Sequence, residues 1–259
     1  SILLVSIPLS LSVAGWWVGR QQSNNNGQSL FRLSLGLLAV FTSVLLSKLL
    51  LTSNSDEHDL ISHANLNLLM LGLVLFMAVI LIAFSRNYMA GQAQKNKYWC
   101  WLLNTLAAVS LVVISNHLLL FWLGWLNISL ALHKLLTYYP DRPRAILAAH
   151  KKFLLARTAE LSLLLAIALL YQQHQTLYIS ELITYFNLVA QEPSLSLAVS
   201  EQIAAVLIAI TALIKCAQLP VHGWLIQVVE APTPVSALLH AGVINLGGFL
   251  LILFAPLFI

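Results

Sequence analysis

The sequence predicts an all-α polytopic membrane protein with about eight transmembrane helices, the seventh broken at Pro220. Three observations predict this. The chain is 59% hydrophobic and only 8% charged, with a mean hydropathy of +0.86, whereas a soluble domain carries about a quarter charged residues. Apolar runs close to the length needed to cross a bilayer, about 20 residues, recur from end to end. The loops between them alternate between basic and acidic or neutral.

The first run, Ile2–Gly19, lacks a basic leader and an A-x-A exit, so it reads as a span rather than a cleavable signal. The Asn-rich loop Gln21–Ser29 is a turn leading into Leu30–Leu51. Ala64–Phe84, Tyr98–Ser115, Leu118–Leu136 and Phe153–Tyr171 supply the next four spans. Between Gln172 and Ser200, Leu177, Ile179, Leu182, Ile183 and Phe186 fall at offsets near three and four. They predict a short amphipathic helix on the outer surface, capping the bundle. The seventh span is Ile203–Val229 and the eighth Val235–Ile259, where Gly247-Gly248 and Pro256 predict a kink or an early exit. Residues 1–259 thus form a single transmembrane domain, expected to be the N-terminal part of a longer subunit because it stops within a hydrophobic run.

Numbered in order, the odd loops are basic. Loop one has Arg20 and Arg32, loop three Arg86, Lys95 and Lys97, and loop five Lys134, Arg142, Arg144, Lys151 and Lys152. The second loop instead has Asp56, Glu57 and Asp59, and the sixth Glu181, Glu192 and Glu201. Cytoplasmic loops attract Lys and Arg, so the odd loops face the cytoplasm and the N-terminus faces out. The basic loops are short and lack regularly spaced aromatics, so no nucleic-acid partner is expected. Cys100 and Cys216 read as small core hydrophobes. The chain has no phosphate-binding glycine loop, zinc-type Cys/His cluster or hydrolase triad, and so offers no metal site and no catalytic residue of its own.

The informative residue is Lys215, an ammonium in the nearly uncharged stretch Ile203–Leu219. A charge at membrane depth costs roughly 2.5–3.5 kcal/mol on insertion scales, so chains rarely carry one without a use. Pro220 follows it, and a broken helix frees backbone carbonyls that need water or side-chain partners. Lysine beside such a break can load and unload a proton as hydration and nearby charge change. His240 in the eighth span is placed to pass a proton onward. His222 either bridges the two half-helices or is a satisfied structural histidine. Glu230, before the Pro232-Thr233-Pro234 turn, is either an entrance carboxylate or a charge favoured at a helix N-terminus. Arg157 and Glu160, at i,i+3 on the sixth span, form either a structural ion pair or a partnership with Lys215. His117 and His133-Lys134 sit near span ends, and Trp16, Trp17, Trp99, Trp101, Trp122 and Trp125 fit interfacial belts.

The segments Lys215-Cys-Ala-Gln-Leu-Pro-Val-His-Gly-Trp-Leu225 and Ala231-Pro-Thr-Pro-Val-Ser-Ala-Leu-Leu-His240-Ala resemble the antiporter-like subunits of respiratory complex I and the Mrp antiporters. The resemblance extends upstream to Asn87-Tyr-Met, to Asn116-His-Leu-Leu-Leu-Phe-Trp-Leu-Gly-Trp125 and to the opening of the sixth span, Phe153–Glu160. The variant His222-Gly-Trp-Leu-Ile-Gln-Val-Val-Glu-Ala-Pro-Thr-Pro, with Ala241-Gly-Val-Ile-Asn-Leu-Gly-Gly248, resembles more narrowly the membrane subunit of the DAB inorganic-carbon accumulation complex.

The resemblance implies the antiporter-like fold, N-terminal half. It gives Lys215 and His240 the roles of the family's seventh-span lysine and eighth-span histidine. The family's fifth-span glutamate has no match, because Leu126 occupies its place beside Gly124-Trp125. The implied function is a proton- or sodium-conducting subunit of the bacterial inner membrane. It would power a large cytoplasmic carbonic-anhydrase-like partner, which holds zinc and hydrates CO2 to bicarbonate. The alternative implied by the wider family is a proton-translocating subunit of a complex I or Mrp-type assembly.

Overall fold

The computed structural model describes residues 2–20, 26–50, 60–62, 64–92, 94–192, 196–228 and 231–258. Helices α1 (Ile2–Arg20), α2 (Asn26–Leu50), α3 (Asn65–Tyr88), α4 (Lys95–Ile114), α5 (Leu118–Leu136) and α6 (Pro143–His174) are each long and apolar enough to cross a membrane. They correspond to the first six predicted spans. After α6 come the amphipathic α7 (Ile179–Gln191), α8 (Val199–Lys215) and the short α9 (Gly223–Gln227) and α10 (Thr233–Leu238). A π-helical turn, Leu239–Val243, joins α10 to α11 (Asn245–Leu253), and a 3-10 turn, Ala255–Phe258, ends the described chain. The fold is therefore all-α.

Two predicted spans are divided. The seventh breaks before its proline: α8 stops at Lys215, and Ala217 takes a left-handed φ of 51°. The Gln218 N–H then reaches back to the Leu213 carbonyl, closing the helix end. The eighth is α10, the π turn and α11 in series: the irregularity falls at Leu239–Val243, ahead of the predicted Gly247-Gly248, which lie within α11, while Pro256 lies in the closing 3-10 turn. Pro232 and Pro234 open α10, where a proline's missing N–H costs nothing. The sixth span differs more, since α6 starts at Pro143 rather than Phe153 and takes in Lys151 and Lys152. Pro143 at the helix start and the helix-compatible residues after it outweigh the charges of that stretch.

Packing follows the lipid-facing pattern. On α3, Leu69, Leu73, Phe76, Ile80 and Phe84 are exposed at helical spacing, while Leu68, Leu71, Leu75, Ala78 and Ile82 are buried. The first set makes a stripe suited to hydrocarbon. Helix α1 packs on α4, α4 on α5, α5 on α6, α6 on α8 and α8 on α11. Gly247 lets α11 close onto α8, since a Cβ there would meet Cys216 Sγ at 2.5 Å and the Ala212 carbonyl oxygen at 2.8 Å. At one end of the bundle the Asn116–His117 link bonds to both 60–62 and 177–180 through main-chain hydrogen bonds. The Asn116 side chain adds bonds to Ser180, which fixes α7 across that end.

Candidate functional site

The helix break after α8 leaves Lys215 pointing into the meeting of α5, α6 and α8. Its Nζ donates to Glu160 Oε1 on α6 and to the Ser129 hydroxyl on α5, each at 3.0 Å. Trp125, one turn before Ser129, puts its ring 4.9 Å from the ammonium, close enough for a cation–π attraction. Arg157 Nη2 lies 2.7 Å from the other Glu160 oxygen. The Trp122 indole N–H donates to the Glu160 carbonyl at 2.8 Å and ties α5 to α6 at this level.

Both readings left open for Arg157 and Glu160 are met by the geometry: Glu160 pairs with Arg157 and with Lys215 together. With Leu126 on the fifth span, the carboxylate that meets Lys215 comes from Glu160 on α6.

A small cavity of about 20 Å³ adjoins the ammonium, lined by Trp125, Ser129, Lys152, Lys215, Trp224 and Leu239 among others. That is space for about one water molecule. Lys152 corrects an expectation. Read as part of the basic fifth loop, it is buried on α6 and faces this cavity, while its neighbour Lys151 is exposed. Consecutive helical residues point about 100° apart, so adjacent lysines can have opposite fates once the helix extends back to Pro143. Trp125 corrects another, because it lies buried under Lys215 rather than in an interfacial belt; Trp99 is likewise buried.

His222 and His240 are neither hydrogen-bond partners of Lys215 nor among the residues lining the cavity. His222 sits in the link between α8 and α9, where its buried Nδ1 has no hydrogen-bond partner among the described residues. His240 lies on the π turn and is exposed, so it is not brought to Lys215. Glu230 lies outside the described residues. Pro220 follows the left-handed Ala217 within the break.

A second ionisable group escaped the sequence reading. Glu201, counted there only among the acidic residues of the sixth loop, is fully buried at the start of α8. Its Oε2 accepts the Ala198 N–H at 2.6 Å, capping α8. Its Oε1 lies 2.8 Å from Nε2 of His174, the last residue of α6. The His174 ring packs edge-on against Tyr185 at 4.5 Å and Phe186 at 5.7 Å, both on α7. Burial, with the Glu201 carboxylate beside it, pushes the Tyr185 phenol up. Glu201 three residues into a helix was the available signal; its partner, 27 residues upstream, had none.

Residues 115–259 match the family described as NADH:quinone oxidoreductase/Mrp antiporter, transmembrane region. The chain belongs to this antiporter family. Its relatives include the probable inorganic carbon transporter subunit DabB of Hydrogenovibrio crunogenus, 55% identical over 197 residues. That match covers 76% of this chain and 37% of the relative. DabB2 of Halothiobacillus neapolitanus is 38% identical over 242 residues, covering 93% of this chain and 40% of the relative. The chain thus spans about two fifths of these relatives' length. Among solved structures, the Mrp complex of Dietzia superposes with a TM-score of 0.76 at 21% identity, over 96% of this chain and 27% of that one. The archaeal membrane-bound sulfane sulfur reductase gives 0.79 at 16% identity, over 98% and 40%. These two likenesses establish the antiporter-like fold of a multi-span membrane protein.

Proposed function

We propose that this antiporter-family chain belongs to a proton-conducting subunit of an inorganic-carbon uptake complex, in which Lys215 and Glu160 form the central relay. The observation that carries the reading is the buried ammonium, held by one carboxylate and one hydroxyl beside a water-sized cavity and a broken helix. The names of the DabB relatives support the carbon assignment.

The charges favour protons over sodium. Arg157 and Lys215 both pair with the carboxylate of Glu160, and Lys152 borders the same cavity as Lys215. A sodium ion would add to that excess of positive charge, whereas losing a proton from a lysine relieves it. In this reading the basic loops face the cytoplasm of a bacterial inner membrane, with the N-terminus outside. Proton influx through the relay drives a cytoplasmic carbonic-anhydrase-like partner that holds the zinc and hydrates CO2. His240, exposed on the π turn, carries the path onward to the part of the subunit beyond this chain.

The test is Lys215→Ala in the full-length subunit with its partner, measured as proton flux in proteoliposomes and as bicarbonate accumulation in cells. Both should vanish while the complex still assembles; wild-type accumulation by the variant removes the mechanism. Co-purification with many membrane subunits, in place of one large zinc-containing soluble protein, would assign the chain instead to a complex I or Mrp-type assembly.

A further inference from the structure

The antiparallel pair α6–α8 carries ionisable groups at two levels. Glu160 and Lys215 meet at one, and His174 and Glu201 at the other. The separation between levels is fourteen residues on either helix, about 21 Å at the helical rise. The second level has the makings of a site. Glu201 is inaccessible, yet His174 keeps 13% of its side chain exposed, so the imidazole stands between the carboxylate and the surroundings. The groups against that imidazole are Glu201 of α8 and Tyr185 of α7, with Phe186 closing another side. On α6 itself, neighbouring Gln173 is engaged by Ser200. The 3-10 turn Ala255–Phe258, which packs on α7 and α8, has no titratable side chain.

Polar groups continue along the seam. The Ser162 hydroxyl donates to the Leu207 carbonyl at 2.9 Å, and the Thr211 hydroxyl reaches the Ala159 and Leu207 carbonyls. Between these levels Ala204, Ala205 and Ile208 of α8 and Ala166 and Ile167 of α6 are buried and apolar, a dry stretch of the seam. From Glu201 to Leu207 is about 9 Å along α8.

We propose that His174 and Glu201 form a proton-loading site at the end of the α6–α8 seam remote from Lys215, taking protons from the face opposite the basic loops. The imidazole, its Nε2–H donated to the Glu201 carboxylate, accepts a proton at Nδ1; the carboxylate stabilises the resulting imidazolium and Tyr185 holds the ring. The proton leaves inward when water enters the dry stretch. Delivery to Lys215 rests on the proton-conducting reading above; proton binding by His174 does not.

Two measurements on the full-length subunit with its partner separate these. Nitrogen NMR of labelled histidine should show the His174 ring changing protonation state as the pH on that face is varied. Glu201→Gln should weaken that proton binding. A His174 that keeps one protonation state at every pH the complex tolerates overturns the site, whatever Lys215 does. In proteoliposomes, Glu201→Gln and His174→Gln should each slow flux from that face by about tenfold or more and abolish its dependence on pH there. The amide oxygen that Glu201→Gln introduces can still accept the Ala198 N–H, so the cap on α8 and the thermal stability should persist. Lowered thermal stability with an unchanged pH profile would mark the pair as a clasp between helix ends and overturn the proposal. Failure of Lys215→Ala to stop flux, with His174 still titrating, would sink the relay and leave the site standing.

Discussion

Replacing Glu160 by glutamine isolates the charge of the central cluster, because the amide oxygen can still accept from Lys215. Lys152, Arg157 and Lys215 against one carboxylate carry a formal +2 when all are ionised, and the substitution raises this to +3. At 3.0 Å and an effective dielectric near 20, the lost Lys215–Glu160 attraction is about 5–6 kcal/mol before compensation. The retained hydrogen bond and the 29% exposure of Arg157 offset part of it. The expected net loss is about 3–5 kcal/mol, the range for stripping one partner from a buried pair. Lys215→Met should cost less, since it lowers the uncompensated charge. Combining the two should recover stability, with a coupling of about 1–3 kcal/mol. Steric-trapping measurements in bicelles give the free energies, and size-exclusion chromatography after heating gives the ranking. Additivity of the two substitutions within about 0.5 kcal/mol would refute the claim that Glu160 holds Lys215.

Three further substitutions test the scaffold around the ammonium. Gly247→Ala puts a methyl against Cys216 Sγ and the Ala212 carbonyl, and should lower stability by about 1–3 kcal/mol; the same thermal assay shows it as earlier loss of the folded peak. Ala217→Gly relieves a left-handed φ of 51° that costs an L-residue about 1–2 kcal/mol, and should delay thermal unfolding without changing flux. Ser129→Ala removes one of the two hydrogen bonds to Lys215 and should cost about 1.5–3 kcal/mol, read by steric trapping.

Lys215 and the helix break were legible because each violates a strong local expectation, a charge in an apolar run and a proline in a span. The i,i+3 spacing of Arg157 and Glu160 was legible as well, but local spacing could not say that the carboxylate also reaches α8, 55 residues later. Lys152 was misread because it sits among basic neighbours, and loop charge was weighed above helical phase. Trp125 was misread for a related reason: its belt position is a matter of depth, while its burial depends on which face of α5 meets α8. Glu201 and His174 meet only because α7 returns the chain across the bundle end, a tertiary fact with no mark in either segment.

That Lys215 takes its carboxylate from α6, with Leu126 on α5, has a physical consequence beyond the ion pair itself. A glutamate at the position of Leu126 would share α5 with Ser129 and leave Arg157 without a carboxylate within its own helix. Glu160 instead binds a partly exposed guanidinium and a buried ammonium through separate oxygens. The guanidinium keeps its charge at every accessible pH, so it fixes the carboxylate without competing for the proton. Lys215 and Lys152 are then the groups whose charge can change, and both border the water-sized cavity. A relay needs such a division between a permanent charge that holds the geometry and exchangeable ones that move the proton. In the proposed relay the i,i+3 pair on α6 would supply the first part, and the two lysines the second.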